Sequence, residues 1–157
     1  MLEYVADQLR LRRNLFGISS ESSDGTRQMF RLLDYACGTG NVSKALAPYI
    51  TSITGFDVSP GMVARYNEDA NTQNASRHAV AGNMLSNPPY LLKDDDEKTD
   101  DSFLRESDWS NFDAVIVGLG FHHFQDYAGT LRKLGGRCRP GGIVGIIDLL
   151  PRKDVGG

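Results

Sequence analysis

The sequence predicts a doubly wound, mostly parallel α/β sheet of about five strands in a single domain. Three observations carry this prediction. From Phe30 onward, short apolar runs alternate with amphipathic, helix-like runs. The stretch Leu32-Leu33-Asp34-Tyr35-Ala36-Cys37-Gly38-Thr39-Gly40 joins a buried strand to a helix beginning at Asn41 through a turn of small residues. Phe112 to Gly118 is nearly all apolar, as a parallel strand covered on both faces must be.

The elements follow in order. Residues 2–16 form an amphipathic helix with Leu2, Val5, Leu9 and Phe16 on one face and Arg10, Arg12 and Arg13 mostly off it. It is expected to pack on the body of the domain, with a substrate-covering lid as the functional alternative. Gly17 to Gly25, rich in serine, is a loop that closes an N-terminal piece of residues 1–26; residues 27–157 form the core. The first strand covers about 30–35 and its helix about 41–49. The second strand is Ser52 to Asp57, and Ser59 and Pro60 cap and open the next helix, with Met62, Val63, Tyr66 and Ala70 along one face. A short third strand lies near His78–Gly82, the fourth is Phe112–Gly118, a helix spans about Asp126–Gly135, and the fifth strand is Ile143–Asp148. Between the third and fourth strands, Lys93–Asp108 includes Asp94, Asp95, Asp96, Glu97, Asp100 and Asp101 and reads as a solvated insertion. It lacks the glycine of an EF-hand loop, so no metal site is expected.

Composition narrows the function. The chain has 157 residues, 40% hydrophobic and 24% charged, with a net charge of −3. That balance argues against nucleic-acid binding. No apolar run is long enough to span a bilayer, and the start of the chain lacks a signal-peptide pattern. Two cysteines, Cys37 and Cys138, with Cys37 inside the turn, suit a reducing compartment, and a cytoplasmic location is expected.

The chemistry centres on two acids. A carboxylate at Asp34 beside the small-residue turn would repel a pyrophosphate and attract an ammonium group, which favours an amino-acid-bearing nucleoside. Asp57, 19 residues after Gly38, ends the second strand, where an acid accepts the two hydroxyls of a ribose.

These motifs resemble those of class I S-adenosylmethionine-dependent methyltransferases. Asp34 to Gly40 resembles the first motif, and Gly55-Phe56-Asp57-Val58-Ser59-Pro60-Gly61-Met62 the segment that follows it. Phe112 to Gly120, running on into Phe121-His122-His123-Phe124, resembles the fourth strand and its loop, and Arg139-Pro140-Gly141-Gly142 the turn before the fifth strand. The likeness covers about residues 30–150 and is nearest to small fungal methyltransferase-domain proteins. It implies a Rossmann-like fold, S-adenosylmethionine as cofactor, S-adenosylhomocysteine as product, and a small-molecule acceptor, with secondary metabolism as the expected setting. Asp34, Ala36, Gly38 and Gly40 would hold the methionine moiety and Asp57 the ribose. Val58 and Met62 would lie beside the adenine, Asn83 and Met84 would flank it, and Gly118, Leu119 and Gly120 would pass near the sulfonium. The family usually has Asp where this chain has Asn83; an amide oxygen can still accept from the adenine amino group.

His122 and His123 are the candidate catalytic residues, since a neutral imidazole can take a proton from an attacking oxygen or nitrogen. The plainer expectation is that one caps the following helix and the other packs, with Phe121 and Phe124 as apolar walls. Asn87-Pro88-Pro89-Tyr90 spells a tetrapeptide of amino-directed methyltransferases, but it precedes the fourth strand and reads as a turn. The family's sheet continues past its fifth strand with a helix and an antiparallel pair that this sequence lacks. Such a chain is expected either to retain methyl transfer or to be a truncated, non-catalytic relative that binds the cofactor or a partner chain. A nicotinamide-dependent oxidoreductase is a third reading. An uncovered apolar fifth strand would invite a second copy and give a homodimer.

Overall fold

The computed structural model describes residues 2–19, 24–73, 75–93 and 97–148. Asp94, Asp95 and Asp96 of the acidic run, part of the serine-rich loop, and everything after Asp148 lie outside these residues.

Among the described residues six strands form one sheet: β1 (Gln28–Tyr35), β2 (Ile50–Asp57), β3 (Arg77–Asn83), β4 (Tyr90–Leu91), β5 (Phe112–Gly118) and β6 (Cys138–Ile147). Their order is β4-β3-β2-β1-β5-β6, and all neighbours are parallel except β3 and β4. The helices are α1 (Leu2–Leu11), α2 (Asn41–Leu46), α3 (Pro60–Thr72) and α4 (Tyr127–Gly135). The doubly wound class is therefore as expected, with one strand more than the five anticipated. Among the described residues, no helix is long and apolar enough to cross a membrane.

Side-chain alternation along β1 builds both layers of the core. Phe30 and Leu32 join Val5, Leu9, Val42 and Leu46 on the side of α1 and α2. Leu33 and Tyr35 join Phe56, Trp109, Phe112 and Leu134 on the other. The crossing between β1 and β5, where the chain reverses its direction of winding, opens a crevice at the carboxyl ends of the strands.

Several local expectations change. The N-terminal helix ends at Leu11, and Arg13–Phe16 tighten into a 3-10 turn closed by Gly17 in the left-handed region (φ 84°). This places the Phe16 ring against Gly145, where a Cβ would meet it at 2.6 Å. Val5 and Leu9 are buried, whereas Leu2 remains exposed. The helix after β1 stops at Leu46 rather than running to 49. In α3, Ser59 caps as expected by accepting from the Met62 amide at 3.4 Å, but Met62 itself is exposed on the crevice side.

The segment after Asn83 departs most from expectation. Asn87-Pro88-Pro89 forms the bend that leads into the antiparallel strand β4. Beyond Glu97 the insertion is tied into the protein. Asp100 accepts from the Ser102 amide at 2.9 Å and caps a 3-10 turn, Asp101–Arg105, and a second turn follows at Ser107–Trp109. Phe103 and Trp109 are buried, edge to face at 5.9 Å, and Trp109 meets Phe56 at 5.5 Å. These aromatics anchor a segment whose charge alone reads as solvated. Among the described residues no cluster of potential metal ligands exists. Arg139-Pro140-Gly141-Gly142, expected to precede the last strand, lies inside β6 as an irregularity in its pairing with β5, with Gly141 at φ 78°. Among the described residues, β4 and β6 are the two sheet edges.

Candidate functional site

A cavity of about 610 Å³ occupies the crevice, over the carboxyl ends of β1, β2, β3 and β5. The loops after β1 and β5 both carry strained backbone. Ala36 (φ 56°) and Leu119 (φ 61°) are non-glycine residues in the left-handed region, and both line the cavity. Such conformations cost energy and persist where surrounding structure imposes them, commonly at ligand sites.

The turn after β1 divides its small residues between two tasks. Gly38 faces the cavity, with open space where a Cβ would stand. Gly40 does not line it. Its Cβ would come 2.7 Å from the Tyr66 ring, so its small size and φ of 88° serve packing rather than the expected ligand contact.

Asp34 is also displaced from its expected place. It falls on the same face of β1 as Phe30 and Leu32, so it points toward α2 and is fully buried behind the turn instead of lining the cavity. Its Oδ2 accepts from the Ser43 amide at 3.1 Å and from the Ser43 hydroxyl at 2.7 Å, and the Tyr66 hydroxyl donates to Ser43 Oγ at 2.8 Å. Oδ1 has no hydrogen-bond partner among the described residues. Loss of hydration pushes the Asp34 carboxyl up to about 7, against the pull of the Ser43 bonds. Cys37, on the cavity wall, is likewise held protonated by burial.

Asp57 ends β2 half-buried at the cavity. Oδ2 accepts from the Gly38 amide at 2.8 Å and Oδ1 from the Ser59 amide at 2.9 Å. The carboxylate thus ties the β1 turn to the start of α3 and keeps lone pairs on both oxygens for a ligand. Val58 and Met62 stand beside it on the cavity wall.

After β3, Asn83 lines the cavity but Met84 is buried against Phe103 and Trp109, and Leu85 takes its place. The reversal follows from the bend after β3, which Asn83 itself sets. Its Oδ1 accepts from the amides of Leu85 at 2.8 Å and Ser86 at 3.0 Å.

Gly118, Leu119 and Gly120 line the far wall, followed by His123 and Phe124. The two histidines have separate fates. His122 is clamped by Asp148, which accepts from its backbone amide at 2.8 Å and meets Nδ1 at 2.8 and 2.9 Å. His123 turns into the cavity beside it, with ring centroids 4.0 Å apart. Neither caps α4: Asp126 does so, accepting from the Gly129 amide at 2.8 Å. Phe121 stacks on Tyr127 at 5.0 Å, leaving Phe124 as the apolar wall.

Residues that sequence reasoning passed over complete the cavity. Tyr35, Phe56 and Val42 read as core, and they are core residues whose edges reach the site. Val5 arrives from α1, far away in sequence; its place on the apolar helix face was legible, but its reach into the cavity was not. Asp148 lies at the end of the last strand, 26 residues from His122.

Known proteins match this chain in sequence and in fold. The methyltransferase-domain family matches residues 33–144. An uncharacterized methyltransferase of Schizosaccharomyces pombe is 36% identical over 124 residues, covering 79% of this chain and 40% of the relative. The YcgJ protein of Bacillus subtilis shares the fold with a TM-score of 0.65 at 19% identity, over 94% of this chain and 53% of that one. An S-adenosylmethionine-dependent methyltransferase of Clostridium acetobutylicum does so at 0.55 and 17% identity, over 77% and 43%. This chain therefore spans about half or less of the length of each of these relatives. On the match across the sheet and both cavity loops, the chain belongs to the methyltransferase-domain family.

Proposed function

We propose that this chain binds S-adenosylmethionine and directs its methyl group to a small-molecule acceptor. The observation that carries the reading is the Asp57 carboxylate, pinned by the Gly38 and Ser59 amides at the rim of the glycine turn. A bidentate acceptor held this way suits a ribose diol. The rest of the cavity agrees. Its wall carries no lysine or arginine, so a pyrophosphate would find no counter-charge among the described residues.

The cofactor, when bound, supplies an electrophilic methyl group on a sulfonium. The chain's own residues bind and orient it. Asp57 fixes the ribose, the turn at Ala36 and Gly38 lets backbone approach the amino-acid end, and Leu119 and Gly120 border the opposite side. His123 is the one imidazole on the described wall, beside Phe124, and is placed to accept a proton from an incoming hydroxyl or amine. Proximity and exclusion of water supply the rest.

Titration calorimetry tests the reading. S-adenosylhomocysteine is expected to bind and NAD not to bind. Binding of NAD alone would replace the reading with an oxidoreductase; binding of neither would remove it.

A further inference from the structure

Asn83 stands at the adenine end of the proposed site, and the orientation of its amide decides what it can offer a base. Its Oδ1 accepts from two backbone amides, Leu85 at 2.8 Å and Ser86 at 3.0 Å, and lies 3.5 Å from the Tyr35 hydroxyl. Two N–H donors facing the same atom fix it as the oxygen, since an amide nitrogen there would set donor against donor. Both oxygen lone pairs are thereby engaged. The Asn83 Nδ2 group has no hydrogen-bond partner among the described residues, and Asn83 lines the cavity between Tyr35 and Leu85.

We propose that Asn83 presents a hydrogen-bond donor to the nucleobase, so that it reads a ring nitrogen and not the exocyclic amino group. This rests on the S-adenosylmethionine reading above and corrects the expectation that the amide oxygen would receive the adenine amino group. A carboxylate at the same position behaves differently. One oxygen holds the Leu85 and Ser86 amides and the second remains an acceptor facing the base, where an amino group satisfies it and a donor-less carbon does not. Position 83 is then a specificity determinant: Asn tolerates purines without the 6-amino group, and Asp demands it.

The test compares S-adenosylhomocysteine with its 6-deamino purine analogue by calorimetry on the wild-type chain and on Asn83→Asp. The substitution is isosteric and keeps an oxygen toward Leu85 and Ser86, so the bend survives. The preference for the amino-bearing ligand is expected to rise by about tenfold in Asn83→Asp, the worth of one charge-assisted hydrogen bond. An unchanged or smaller preference overturns the proposal, because the wild-type amide would then already accept from the amino group. The Asn83 side-chain NH₂ resonance gives a second readout. It is expected to shift when S-adenosylhomocysteine is added, and an unmoved resonance in a chain that binds the ligand overturns the proposal while leaving the cofactor reading intact. Failure of the wild-type chain to bind S-adenosylhomocysteine removes both.

Discussion

The Asp57 carboxylate and the Gly38 amide meet at 2.8 Å, joining the turn after β1 to the end of β2 across the mouth of the cavity. One side chain therefore shapes the loop and faces the cavity. Asp57→Ala is expected to cost roughly 2–4 kcal/mol of S-adenosylhomocysteine affinity if two charge-assisted ribose bonds are lost. Calorimetry measures it, and a loss under about 0.5 kcal/mol would mean that the ribose lies elsewhere.

The two glycines of the turn are expected to respond differently to alanine. At Gly40 the new Cβ would press on the Tyr66 ring, which cannot retreat because it is buried and its hydroxyl is bonded to Ser43. Gly40→Ala should lower stability by about 2–4 kcal/mol, combining overpacking with left-handed strain. At Gly38 the Cβ enters open cavity. Gly38→Ala should cost only about 1–2 kcal/mol in stability yet weaken S-adenosylhomocysteine binding. Thermal melts beside calorimetry separate the two effects; equal loss of stability in both variants would contradict this division.

Asp34 makes stability depend on pH with a definite sign. Burial raises its carboxyl from 3.8 in the unfolded chain to about 7 in the fold, so the folded state holds the proton more tightly. Its favourable contribution is complete below about pH 4 and is lost as pH rises through about 7. Asp34→Asn, which stays uncharged, should therefore gain stability relative to the wild type as pH increases from 4 to 8. Paired melts across that range check the difference, and a gap that narrows with rising pH would refute the assignment.

Asp148 holds the loop between β5 and α4 through His122, both at the backbone amide and at the ring. Because a carboxylate only accepts, neutral His122 must carry its proton on Nδ1. Asp148→Ala should release that loop, which contributes Leu119, Gly120, His123 and Phe124 to the cavity. Faster hydrogen exchange at the His122 and His123 amides is expected, together with weaker S-adenosylhomocysteine binding. Unchanged exchange would mean that packing and backbone bonds such as Leu119 N–H to the Ile147 carbonyl hold the loop without Asp148.

Sequence by itself determined the doubly wound architecture, because strand and helix periodicities and small-residue turns are local patterns. It also located the two loops that make the cavity and the acid at the end of β2. Tertiary structure decided which side chains face a ligand. Asp34 and Gly40 belong to the recognised motif, yet the alternation of β1 and the nearness of Tyr66 turn them to the interior. Met84 and Leu85 exchange places because the oxygen of Asn83 bends the chain after β3. The Lys93–Asp108 run looked solvated by charge, but Phe103 packs on Trp109, and Trp109 finds its buried partner Phe56 only once the fold brings β2 against this segment. Val5 and Asp148 reach the site or its loop from elements remote in sequence. Helix periodicity put Val5 on a buried face, but its reach into the cavity and the pairing of Asp148 with His122 depend on distances that exist only in the folded sheet.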